Sequence, residues 1–389
     1  MKSILIKNGR LITDGFIKNG DLLIIDGKIA AIGYGFNIPE NTQIIDAENK
    51  YVAPGFIDIH LHGGGGYDFM DCSLEAFKAI SETHLKNGTT TMVPTAVSAK
   101  FEDILKLIET YKEAIPHCPN FYGIHLEGPY ISKNQKGAHH EELLHAPTDD
   151  ETDTLLKVGK GIIKRITAAP ELENMDSFSR KMTENGINLA LGHSDATSDI
   201  ALKAFKNGFS HVTHLYSATP GVRKINQVVK AGVIEAAYLD DNVTVELIAD
   251  GKHAAVDALR LAVKIKGTDM VALVTDALRP AGTNVTESWL GAKIPENRVI
   301  IEDGVAKLPD RSSFAGSIAT SNMLLKQSVL HYGIPLADSV KMITGTTAKI
   351  LGLKSKGRLC ENFDADIVIF DEKYDLESVI LKGEIYISN

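Results

Sequence analysis

The sequence predicts an α/β protein: a (β/α)8 barrel of the TIM type carrying a small β-sandwich domain formed by both chain termini. Three observations predict it. Eight short apolar runs alternate with helix-period segments through the middle of the chain. Both ends read as strands and tight turns. Six of the eight runs finish on His, Glu or Asp. Eight strand–helix units are what closes a parallel barrel.

Each element follows from local pattern. Residues 1–53 include ILIKNGRLIT and DLLIIDGKIAAIGYG, where apolar and polar residues alternate and NG or DG marks the turns. Residues 355–389 repeat that texture in ADIVIFDEKYDLESVILKGEIYIS. The two ends are therefore assigned to one β-domain, and 54–354 to the barrel. Within the barrel the strand candidates are 56–60, 91–94, 121–127, 163–168, 187–193, 211–214, 243–250 and 270–276. Segments between them, such as SLEAFKAISETHLKNG and FEDILKLIETYKEAI, have the spacing of amphipathic helices.

Composition removes whole classes. The 389 residues are 44% hydrophobic and 23% charged, which excludes disordered and fibrous chains. A net charge of −9 argues against nucleic acid as a partner. Three scattered cysteines, Cys72, Cys118 and Cys360, form no disulfide framework and fit a reducing compartment. The opening MKSILIKNGRLITDG has no apolar leader core, and no run reaches 18 apolar residues. A cytoplasmic protein with no membrane association is expected.

The chemistry lies at the strand ends. His60 and His62 in DIHLH alternate with Leu61 and so face the same way. Two imidazoles so placed are a common grip for zinc or a similar divalent ion. Glu127 ends HLE, His193 ends LGH, His214 lies in THLYSA, Asp250 and His253 lie in ADGKH, and Asp276 ends VTD. In a barrel all these ends meet at one mouth. So many acidic and imidazole groups are costly together unless a cation compensates them.

The set APGFIDIHLHG, HLEGPY, KGAH, LGHSDA, THLYSA, ADGKH and VTDA resembles the amidohydrolase superfamily, and within it the deacetylases of phosphorylated amino sugars. The resemblance covers nearly the whole chain. It implies metal-assisted amide hydrolysis, with one or two ions per subunit. Glu127, His193 and His214 hold one ion; His60 and His62, with Glu127 bridging, hold a second. Zinc comes first among the candidates, with iron, manganese and cobalt also suited. Asp276 is implied as the general base and His139 as a donor to the developing oxyanion. Gly128, Ser217, Ala218, Arg223, His253 and Phe314 are implied as substrate contacts, with Arg223 the ligand of a phosphate. That arginine comes from the neighbouring subunit in relatives, which implies a homodimer.

Two positions depart from the usual pattern. Ser217 stands where an asparagine is common, and Phe314 where a leucine is common. Both bear on which sugar fits, gluco or galacto. Cyclic-imide hydrolases and deaminases of the same superfamily share the barrel, but Glu127, Arg223 and KGAH point away from them.

A serine-hydrolase reading competes. His62 followed by four glycines looks like an oxyanion loop, and GHSDA approaches a nucleophile elbow around Ser194. It leaves Glu127, His214 and Asp276 without a role. His125, one layer below Glu127, is expected as a core histidine, and Glu171 as a structural carboxylate.

Overall fold

The structure, a computed structural model, describes residues 2–388. Eight parallel strands form one sheet in strict chain order. They are Phe56–Leu61, Thr89–Ala96, Ile124–Glu127, Ile163–Ala168, Asn188–Leu191, Phe209–Val212, Thr244–Ile248 and Val271–Val274. The first and last meet: Leu61 bridges Ala277, and the Asp276 N–H donates to the His60 carbonyl at 2.9 Å. The barrel closes there. A helix follows each strand, from Leu74–Lys86 after the first to Ser321–Leu330 after the eighth.

Two of these helices start on a side-chain cap written in the sequence. The Ser73 hydroxyl accepts the Ala76 N–H at 3.2 Å. Thr148 and Glu151 form a reciprocal capping box. No helix among the described residues is long and apolar enough to cross a membrane.

The chain ends build a second sheet. Ser3–Thr13, Phe16–Ile25 and Lys28–Gly33 run antiparallel, joined by Asp14-Gly15 and Asp26-Gly27 turns with positive φ at both residues. That geometry matches the twist of paired strands. Tyr51–Pro54 pairs with Ser3–Thr13 on one side and Ile367–Phe370 on the other. Leu376–Leu381 and Glu384–Ser388 extend the sheet. Ile6, Leu22, Val52, Ile367 and Ile380 share one buried cluster, so residues from both ends fill a common core.

Between the eighth strand and its helix lies an insertion unmarked by the barrel pattern. It is a four-stranded antiparallel sheet: Glu287–Trp289, Arg298–Glu302, Val305–Lys307 and Phe314–Ser317. Leu290 and Phe314 bring it to the barrel mouth.

Four strands end earlier than the sequence pattern predicts, those expected at 187–193, 211–214, 243–250 and 270–276. His193, His214 and Asp276 lie just past their strands with φ of 47°, 26° and 48°. This left-handed region is costly for residues with a Cβ. The turn it makes lifts each side chain out of the strand alternation and over the mouth.

Candidate metal centre and cavity

Six side chains converge on the mouth. Glu127 ends the third strand and is almost wholly buried. Its Oε1 lies 2.9 Å from His214 Nε2 and 3.2 Å from His193 Nε2. Its Oε2 lies 3.1 Å from His62 Nε2 and 3.3 Å from His60 Nε2. Asp276 Oδ1 completes the second side, 3.3 Å from His62 Nε2 and 3.6 Å from His60 Nε2. The proposed ligands and Asp276 are thus all brought together, in two groups on either side of one carboxylate.

The far sides of three of the rings explain their orientation. His193 Nδ1–H donates to the Gln135 carbonyl at 2.8 Å, and His214 Nδ1–H to the Ser217 carbonyl at 3.0 Å. His60 Nδ1 lies 2.7 Å from Glu246 Oε1. With protons held on Nδ1, the Nε2 atoms present lone pairs to the oxygens of Glu127. Lone pair against lone pair is repulsive, so the arrangement demands positive charge between them. His60 Nε2 is buried and has no hydrogen-bond partner. Nitrogen and carboxylate donors of this kind fit a divalent ion. Three overlapping sets bring their ligand atoms within 4.8 Å: His60, His62 and Asp276; His60, Glu127 and His214; Glu127, His139 and His193.

The electrostatics show the same demand for positive charge. Burial by itself would depress His60 and His62, but the facing carboxylates outweigh it. His60 is held well above its usual range and His62 is pushed up to about 9. Burial would raise Glu127, but His60, His193 and His214 hold it well below the carboxylate range. His139 is different: burial and then the neighbouring His193 push it well below an ordinary histidine. The Ser98 amide faces His139 Nδ1 at 3.4 Å and the Ser98 hydroxyl at 2.7 Å. With Nδ1 accepting, the His139 proton lies on Nε2, 3.7 Å from Glu127 Oε2.

The centre opens into a cavity of about 270 Å³. His139, Ser217, Ala218, His253 and Phe314, five of the residues implied by the resemblance, line it. His253 is fixed by Asp250, whose carboxylate lies 2.8 Å from Nδ1 and holds the ring's affinity for protons up against burial. The Phe314 ring is 41% exposed and packs on His253 at 5.0 Å between centroids, so it forms the rim of the cavity.

Gly128 and Arg223 are placed elsewhere. Gly128 is absent from the cavity lining; with φ of 79°, a Cβ there would meet Ser98 Oγ at 2.1 Å. Its role in this structure is the turn that follows Glu127. Arg223 lies on the hairpin formed by Arg223–Ile225 and Val228–Lys230, outside the lining of its own chain's cavity. Its guanidinium donates to the Asp195 carbonyl at 2.6 Å and pairs with the Asp195 carboxylate at 3.1 Å.

Beneath the centre lies a buried polar layer that the sequence pattern left unread. Glu246, fully buried, pairs with Arg165 at 2.6 Å and lies 3.1 Å from His211 Nε2. It also accepts the His214 backbone N–H at 3.0 Å. His125 is in that layer, between Thr95 and Thr167, as a core histidine should be. The signal available was one charge of each sign inside two apolar strands, Arg165 in IKRITA and Glu246 in TVELI. Ser194 is buried and donates to Glu171 at 2.7 Å. Among the described residues no imidazole bonds to it, which removes the serine-hydrolase reading.

Comparison with known proteins agrees with this geometry. The amidohydrolase family profile matches residues 51–386. An N-acetylglucosamine-6-phosphate deacetylase from Lysinibacillus sphaericus is 31% identical, covering 98% of this chain and 97% of the relative. An N-acetylgalactosamine-6-phosphate deacetylase from Shewanella is 30% identical over 85% of this chain and 82% of its own. The crystal structure of N-acetylglucosamine-6-phosphate deacetylase from Pasteurella multocida superposes with a TM-score of 0.92 at 29% identity, covering 99% of this chain and all of the other. On sequence, fold and site together, the chain belongs to the amidohydrolase family.

Proposed function

We propose that this protein hydrolyses the N-acetyl group of N-acetylglucosamine-6-phosphate, giving glucosamine-6-phosphate and acetate. One observation carries the reading: four imidazole Nε2 atoms converge on the two oxygens of Glu127, with Asp276 facing two of them, in a cavity sized for a small substrate. The full-length relatives with that activity support the substrate.

Glu127, His193 and His214 would hold one divalent ion, and His60 and His62 with Glu127 a second, zinc foremost. Such an ion polarises the amide carbonyl and lowers the pKa of water towards about 7. Asp276 accepts the proton of the attacking water and returns it to the leaving nitrogen. His139 aims its Nε2–H at the oxygen that gains charge. Ser217, Ala218 and His253 bind the sugar, Phe314 closes the rim, and Gly128 shapes the turn beside them. Arg223 takes the 6-phosphate of a partner subunit's substrate in a homodimer, which accounts for its distance from its own cavity. Three unpaired cysteines support a cytoplasmic setting. The barrel spans 54–354, and the small β-domain 1–53 with 355–389.

A second reading changes only the sugar. The Shewanella relative supports the galacto epimer, and Ser217 and Phe314 are the residues to which such a preference would be assigned. The test is acetate release from both 6-phosphates and from unphosphorylated N-acetylglucosamine, with metal supplied. Release from the gluco 6-phosphate supports the first reading, and preference for the galacto 6-phosphate the second. No release from either, with metal bound, overturns both.

A further inference from the structure

A second cavity, about 460 Å³, lies directly behind the first and is the more apolar of the two. Met70, Leu143, Val299 and Leu308 line it. Three apolar residues, Val97, Ala138 and Leu290, line both cavities, together with His139. These three come from separate elements: the end of the second barrel strand, the loop after the third, and the insertion. They pack together in one apolar cluster, with Val97 and Leu290 each more than nine-tenths buried. The packing is tight, since a Cβ on the adjacent Gly291 would lie 3.1 Å from Val97 Cγ1. The wall between the cavities is therefore these apolar side chains beside the His139 ring.

The lining of the first cavity combines polar groups, Ser217 and His253 among them, with the apolar Val97, Ala138 and Leu290. A sugar whose hydroxyls take the polar groups leaves the apolar ones to its acyl chain.

We propose that Val97, Ala138 and Leu290 set the length of the N-acyl group this site accepts, and that the cavity behind takes the tail of a longer acyl chain when the wall is thinned. The proposal rests on the deacetylase reading above. The reaction is unchanged in kind: water adds to the carbonyl carbon, the C–N bond breaks, the amine gains a proton, and a longer carboxylate leaves. What changes is where the methylenes go. Two further methylenes clashing with a packed wall oppose binding, whereas the same two buried in the second cavity favour it by about 10-fold.

The test compares kcat/KM for N-acetyl- and N-butanoyl-glucosamine-6-phosphate in metal-loaded wild type, Leu290→Ala and Val97→Ala. The wild type should strongly prefer acetyl. Either variant should raise the butanoyl-to-acetyl ratio by about 10-fold or more. Leu290→Val is the milder substitute if Leu290→Ala fails to fold, and should move the ratio in the same direction. Acetyl turnover with an unmoved ratio in the folded variants overturns the wall and leaves the deacetylase reading standing. No turnover of the acetyl sugar by metal-loaded wild type overturns both.

Discussion

Glu246 Oε1 lies 2.7 Å from Nδ1 of His60, beneath the mouth of the barrel. The contact fixes which His60 nitrogen carries the proton and which faces Glu127. The same carboxylate takes the charge of Arg165 and the backbone N–H of His214, so one side chain orients both sides of the centre. Partners of this kind tune metal ligands through the ring. Glu246→Gln should lower metal affinity about 10–100-fold. It also leaves Arg165 buried without its counter-charge, at a cost of about 3–5 kcal/mol. Metal titration and thermal unfolding of the variant check the two effects separately.

Asp276 faces His62 and His60 yet remains partly open to the cavity. Asp276→Asn keeps the shape and removes the proposed base. It should retain bound metal and lose about 10²–10⁴-fold in kcat. Metal analysis alongside initial rates tests this, and full turnover by the variant would remove Asp276 from the proton transfer.

Chelation should abolish activity and lower the melting temperature together. An ion present at 100 times its Kd stabilises the folded chain by about 2.7 kcal/mol. Adding back zinc, cobalt or manganese should restore both readouts. Activity that survives exhaustive chelation with no metal left by analysis would exclude a metal role.

Stability should fall as pH drops from about 6.5 to about 4. Burial pushes His84 and His211 down to about 4, so the unfolded chain binds protons that these folded imidazoles refuse. Each costs about 3 kcal/mol once pH is below both values. Asp58 runs the other way: burial raises it to about 6, so its contribution is present at low pH and is lost as pH rises from 3.8 to 6. Two histidines against one carboxyl leave a net loss on acidification. His84→Gln, which keeps a donor for the Gly63 carbonyl, should flatten the curve. Urea midpoints at several pH values measure it.

The strand ends were readable because a barrel sends every strand's C-terminal end to one place, so chemistry-bearing residues there need no further information. His60, His62, Glu127, His193, His214 and Asp276 were found in this way. Glu246 was not, because it sits mid-strand, where alternation and burial say only that it faces inward. Its meaning depends on Arg165, some eighty positions earlier, and that pairing exists only once the strands are side by side. Arg223 was legible as a charge but not as a location. Its hairpin leaves the barrel, and chain pattern does not say which cavity an excursion serves. The insertion at 287–317 was equally silent, since its short strands pair mainly with one another and join the barrel only where Ser317 bridges Ala277.

The small β-domain imposes an order on synthesis. Tyr51–Pro54 needs Ile367–Phe370 as its neighbour, and roughly 300 residues of barrel are made between them. At typical translation rates that interval is about 15–60 s. Throughout it the N-terminal strands wait with an open edge, the kind of surface on which other chains pair and aggregate. The growing barrel brings the two ends together, so the domain that begins the chain is the last to be completed.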